Sequence, residues 1–83
     1  VAANIGRARR NPAQMQSYWF CLRNGKGVLE EELGAMGFLN DEAAVGHIRR
    51  MIADLVREGA GEYAGWTLEA WKVDLLVSAL KIA

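Results

Sequence analysis

SYWFCLRNGKGVLEE, Ser17 to Glu31, sets an aromatic run directly before Asn-Gly and an acidic turn, and its reading decides the fold. As a helix it would start at Asn11-Pro12, with asparagine as cap and proline in the first turn, and run to Arg23. Met15, Tyr18, Trp19 and Leu22 then share one face, but Phe20 falls nearly opposite. As a strand the same residues suit a pleated surface, and Asn24-Gly25 is a strong hairpin signal because both residues tolerate positive φ. Gly27 adds a flexible point before Val28 and Leu29 resume the apolar run. Tyr18, Phe20 and Leu22 then point to one side, and Trp19 and Cys21 to the other. The hairpin accounts for more of the residues, with the helix as its alternative.

Downstream, Asn40 or Asp41 caps a helix from about Glu42 to Glu58, and Gly59 is placed to end it in the left-handed conformation. Val45, Ile48, Ile52, Leu55 and Val56 form its apolar stripe, with Ala44 and Met51 at one margin. His47, Arg50, Asp54, Arg57 and Glu58 lie away from it. Gly59 to Tyr63 reads as a loop. After Gly65, the segment WTLEAWKVDLLVSALKIA fits two patterns. As strands, Trp66, Leu68 and Ala70 alternate with Thr67, Glu69 and Trp71, and Leu76 to Ile82 makes a second run. As a helix from Thr67 it is apolar nearly all round. Lys72-Val73-Asp74-Leu75 lacks the glycine expected of a tight turn, which keeps the helix open. The expected fold is therefore α+β, a small antiparallel ββαββ sheet with one helix on one face. The alternative is all-α, with three to four short helices.

At 83 residues the chain is one domain with a single core, and its 52% apolar content is that of a globular protein. Residues 1–16 read as a basic flexible arm and residues 17–83 as the globular domain. The formal net charge is zero, but the two signs are segregated. Arg7, Arg9, Arg10, Arg23 and Lys26 precede any acid, and Glu30, Glu31, Glu32, Asp41 and Glu42 follow without a base. Such a division suits an acidic partner, nucleic acid, or complementary self-association. A single cysteine permits no internal disulfide and fits the cytoplasm. No apolar stretch approaches the ~20 residues that span a bilayer, and VAANIGRARR lacks the apolar centre of a secretion signal.

Tyr18-Trp19-Phe20, Leu22-Arg23-Asn24-Gly25, Leu29-Glu30-Glu31-Glu32, Asp41-Glu42-Ala43-Ala44 and Gly65-Trp66-Thr67-Leu68-Glu69 together resemble an uncharacterised alphaproteobacterial family of small proteins. The resemblance covers Met15 to Ala83. It implies an aromatic strand and glycine hairpin, an Asp/Glu-Ala-Ala helix, and a Trp-led strand pair. Leu75 stands where that family has its last glycine turn. The family has no assigned activity, so the resemblance implies none.

Catalytic equipment is sparse. His47 is the sole histidine, and Arg50 beside it opposes a cation, so no metal site is expected. Cys21 has no base in its own element and reads as a small apolar side chain. Glu30-Glu31-Glu32 reads as a hydrated turn, and GKG alone is no phosphate loop. No cofactor, small-molecule substrate or enzymatic activity is expected. What remains is surface. If the helix covers the face bearing Tyr18, Phe20, Leu22, Trp66 and Leu68, then Trp19, Cys21 and Trp71 lie on the other, bordered by Arg23. Such a patch marks a contact surface, because the open face of an antiparallel sheet is ordinarily polar.

The expected function is thus a non-catalytic protein-interaction module, a homodimer or an accessory subunit of a larger assembly. The alternative is a small nucleic-acid-binding or antitoxin-like regulator. It would use Arg7, Arg9 and Arg10 on an acidic partner or on phosphates, with Arg49, Arg50 and Arg57 adding charge. A hairpin followed by a helix resembles HicB-type antitoxins at the level of the fold alone.

Overall fold

Alternation decides the first element in favour of the strand. The structure, a computed structural model, describes residues 15–83, so Arg7, Arg9 and Arg10 lie outside the described residues. Strand β1 is Gln16–Arg23 and strand β2 is Leu29–Phe38, antiparallel to it. Tyr18, Phe20 and Leu22 are buried while Trp19 between them is 44% exposed. A two-residue period of that kind cannot be satisfied by a helix. Gln16, at the end of the expected arm, already pairs with Phe38.

The connection is not the two-residue Asn-Gly turn that the sequence suggests. The Gly27 amide donates to the Asn24 carbonyl at 3.0 Å, and the Asn24 amide donates to the Val28 carbonyl at 2.9 Å. Gly27, not Gly25, takes positive φ, at 82°. This is the longer hairpin loop, a turn followed by a left-handed glycine. Asn24 favours it because its Oδ1 accepts from the Lys26 amide at 2.8 Å and the Val28 amide at 3.0 Å, while its Nδ2 donates to Glu30 at 2.7 Å.

Helix α1 spans Asp41–Gly59, and Asn40 caps it by accepting from the Ala43 amide at 2.8 Å. The left-handed residue that ends it is Ala60, at φ 51°, rather than Gly59. Gly59 is the last helical residue and serves proximity instead, since a Cβ on it would come within 2.8 Å of the Tyr63 ring. The buried stripe keeps Ile48, Ile52 and Leu55 as expected but is rotated toward its Ala44–Met51 margin. Ala44 and Ile48 are fully buried, Met51, Ile52 and Leu55 pack beside them, and Val56 is 46% exposed. Ala44, with only a methyl group, lets the first turns approach the sheet, which moves the contact line away from Val56.

Strands β3 (Thr67–Lys72) and β4 (Leu75–Lys81) complete an antiparallel sheet in the order β2-β1-β3-β4. The fold is therefore α+β, ββαββ, and the all-helical alternative is excluded. Trp66 lies just before β3, packed on the core and edge-on to Tyr63 at 5.1 Å. The last hairpin forms without its glycine because Val73 adopts φ 57° in the Val73-Asp74 turn. A β-branched residue is strained there. The Val73 side chain stands out in solvent with little packing to lose, so Val73→Gly is expected to stabilise the fold by about 1 kcal/mol. Urea denaturation would show this as a higher midpoint at unchanged slope.

The core lies between α1 and one face of the sheet, built on Tyr18, Phe20, Leu22, Ala44, Ile48, Leu68, Ala70 and Ile82. At one end the Tyr18 hydroxyl donates to Asp41 at 2.6 Å, and the Lys72 ammonium reaches the same carboxylate oxygen at 3.2 Å. One acceptor thus ties β1, β3 and the start of α1 together. Burial first, and then the neighbouring carboxylate, push the Tyr18 phenol up to about 12. Asp41 is held below the usual carboxylate range by the hydrogen bonds from Tyr18 and Lys72. Among the described residues no helix is long and apolar enough to cross a membrane.

Candidate interaction face

Directly opposed residues of antiparallel strands share a face, so the register maps the side of the sheet away from α1. Three rows cross all four strands, from β2 through β1 and β3 to β4. Leu29, Arg23, Thr67 and Lys81 form the first, and Glu32, Cys21, Glu69 and Ala79 the second. Ala35, Trp19, Trp71 and Leu76 form the third. The structure therefore brings Trp19, Cys21, Arg23 and Trp71 onto one face, with Trp19 and Trp71 as immediate cross-strand neighbours. Trp19 and Leu76 are each 44% exposed. The third row is a continuous apolar band on a face that should be polar.

Bulges place three of these residues, and a register shift between Leu22 and Arg23 sets Leu29 rather than Glu30 opposite Arg23. A register shift between Phe20 and Cys21 coincides with Gly34 at φ 92°, so Glu32 rather than Leu33 stands opposite Cys21. A third shift, between Ala70 and Trp71, puts Leu76 on the open face beside Trp71. Strand alternation alone does not reveal these shifts, which is why Leu76 and Glu32 are missed when the sequence is read as regular strands.

Glu69 organises the face. Its Oε1 accepts from the Arg23 Nε at 2.9 Å and from the Trp71 indole nitrogen at 2.9 Å. The carboxylate is nearly buried, and both donors are needed to offset its desolvation. The consequence is a fixed indole, since Trp71 is held by its own N–H. Sequence reading missed this role because Glu69 appears there only as a polar position in an alternating strand.

Burial pushes the Cys21 thiol up, and the carboxylates of Glu69 and Glu32 push the same way against a smaller opposite pull from Arg23. The thiol is therefore held in its protonated, poorly nucleophilic form. His47 is not the solvated residue expected from its helical position. Its ring packs at 5.2 Å from both Phe20 and Phe38. Burial, with help from Arg50, lowers its pKa from the usual histidine value. Since the folded state disfavours the imidazolium, His47 contributes its full stability above the ordinary pKa near 6.5 and loses it as pH falls through the lower folded value. The midpoint of urea unfolding is expected to drop on acidification below pH 6.5, and His47→Leu to flatten that drop.

On the opposite side, a cleft of about 210 Å³ opens between β2 and the second half of α1. Leu22, Leu33, Met51, Leu55, Tyr63 and Leu68 give it apolar walls, and Glu31 and Asp54 add carboxylates. No such lining is evident from the sequence, because its residues come from separate segments of the chain. Asp54 is already paired with Arg57. Among the described residues no group of three or more His, Cys, Asp or Glu is placed to hold a metal ion. Comparison of the chain with protein-family models, with curated proteins and with solved structures gives no match.

Proposed function

We propose that this chain is a non-catalytic protein-interaction module that binds through the helix-free face of its sheet. Trp19 and Trp71 supply the contact area, Cys21 a small apolar side chain between charged neighbours, and Arg23 the border. The observation that carries the reading is the cross-strand pairing of Trp19 with Trp71 on the solvent side, continued by Leu76. An indole held in one orientation, as Trp71 is by Glu69, loses little freedom on binding, which is the character of an interface centre. Charge on this face argues for protein rather than nucleic acid. Arg23 and Lys81 are balanced by Glu32 and Glu69, so a phosphate backbone would meet no net positive field.

A photo-crosslinking amino acid at Ala35 or Ala79, both exposed on the face, tests the assignment against one at Arg49 on the solvent side of α1. Protein adducts formed from the face positions and not from Arg49 are the expected result. Equal labelling from both sides, or adducts that nuclease removes, would overturn it.

A further inference from the structure

We infer that the partner is a second copy of the chain, packed face to face about a two-fold axis that runs parallel to the strands. This rests on the proposal that the helix-free face is a contact surface, and adds the occupant and its orientation. Such an axis carries β2 of one copy over β4 of the other and β1 over β3. Each row then meets its own reverse. Trp19 lies against the partner's Trp71 and Trp71 against the partner's Trp19, while Ala35 opposes the partner's Leu76. A bulky end of the band always meets a small one.

The charges point to the same operator. Arg23 is already satisfied by Glu69. Lys81 and Glu32, at opposite edges of the face, take part in no ion pair among the described residues. Under this two-fold Lys81 comes to rest over the partner's Leu29, one row from the partner's Glu32. Neighbouring rows are separated by two residues, roughly 7 Å along a strand, a span that a lysine side chain covers. The symmetry makes the contact twice. An axis across the strands would stack the aromatic row on itself only by sliding the other two rows off the contact, and it would leave Lys81 far from any acid.

The area is sufficient. Four strands about 4.8 Å apart and rows spread over roughly 20 Å give a projected ~400 Å² per copy. Side-chain relief raises this to roughly 600 Å² accessible per copy, or ~1,200 Å² in all, which is the lower end of a specific interface. The product is an eight-stranded sandwich with aligned sheets and a helix on each outer side.

Sedimentation equilibrium on the intact chain is the test. A monomer–dimer equilibrium is expected, with Trp19→Ser raising the dissociation constant by roughly 30-fold or more. Glu32→Lys and Lys81→Glu alone are each expected to weaken the dimer about 3- to 10-fold, and the double variant to recover to within about 2-fold of the parent. These positions are solvent-exposed, and circular dichroism on each variant checks that the sheet is kept. A chain that stays monomeric to several hundred micromolar, or a charge exchange without recovery, would overturn the pairing. A monomer that still crosslinks to another protein through Ala35 or Ala79 would overturn the pairing and leave the contact face standing. Absence of both would end both.

Discussion

Ile48→Ala is expected to lower the free energy of unfolding by about 3 kcal/mol, a large fraction of what a domain of this size possesses. Ile48 is fully buried near the middle of α1, in the core cluster that also holds Phe20 and Leu68. The cost has two parts. Three carbons lose their burial, and a cavity remains because the sheet below is held in register by its own ladder and cannot close in. Urea denaturation followed by far-ultraviolet circular dichroism gives the number, and Val56→Ala is the control. Val56 belongs to the same stripe in the sequence, but at 46% exposure its truncation is expected to cost under about 1 kcal/mol. Equal losses at the two positions would contradict the orientation of α1.

Removing the Glu69 side chain as Glu69→Ala is expected to cost about 2 kcal/mol and to change the environment of one tryptophan at the same time. Two donors lose their acceptor, with a different outcome for each. The Arg23 side chain is a third exposed and recovers water. The Trp71 indole, lacking its anchor two residues away, is freed to rotate. Tryptophan emission is therefore expected to shift to longer wavelength before any unfolding occurs. Glu69→Gln, which keeps an acceptor oxygen but no charge, is expected to cost about half as much and to leave the emission nearly unchanged. If Glu69→Ala leaves the emission unchanged, the carboxylate does not position the indole.

Much of this architecture is legible from local signals. Alternation of Tyr18, Phe20 and Leu22 against Trp19 and Cys21 gives the strand and both of its faces, because one face must be dry. Asn40 announces the start of α1 through its own side-chain chemistry. The end of α1 is less legible, because Gly59 satisfies a contact with Tyr63 that no local rule contains, and Ala60 takes the left-handed conformation in its place. Val73 misleads for a related reason. Turn preferences describe unstrained residues, while the pairing of β3 with β4 on both sides of the turn holds a valine where glycine is favoured.

Of the helix-free face, the four residues Trp19, Cys21, Arg23 and Trp71 emerge from strand period alone. Their neighbours do not. Glu69 becomes an organising group only when β1 lies beside β3, and Leu76 reaches the face only through a bulge. His47 looks solvated on a helical wheel, yet Phe38 and Phe20 extend the dry region to its ring. Those contacts belong to pairings between distant segments, which sequence periodicity does not encode.

The central position of β1 has a consequence for the order of assembly. Its partnership with β2 is a short-range hairpin, nucleated by the Asn24 turn, and β3 with β4 is another. Such hairpins form within about 1–10 μs. The junction between them is different, since Arg23 and Glu69 stand 46 positions apart. Closing that gap forfeits chain entropy before any of the joined contacts exist to offset it. Docking of the two hairpins, with α1 as the tether that brings them together, is therefore expected to be the slow step of folding. Changes at the β1–β3 seam should alter the refolding rate more than changes within either hairpin.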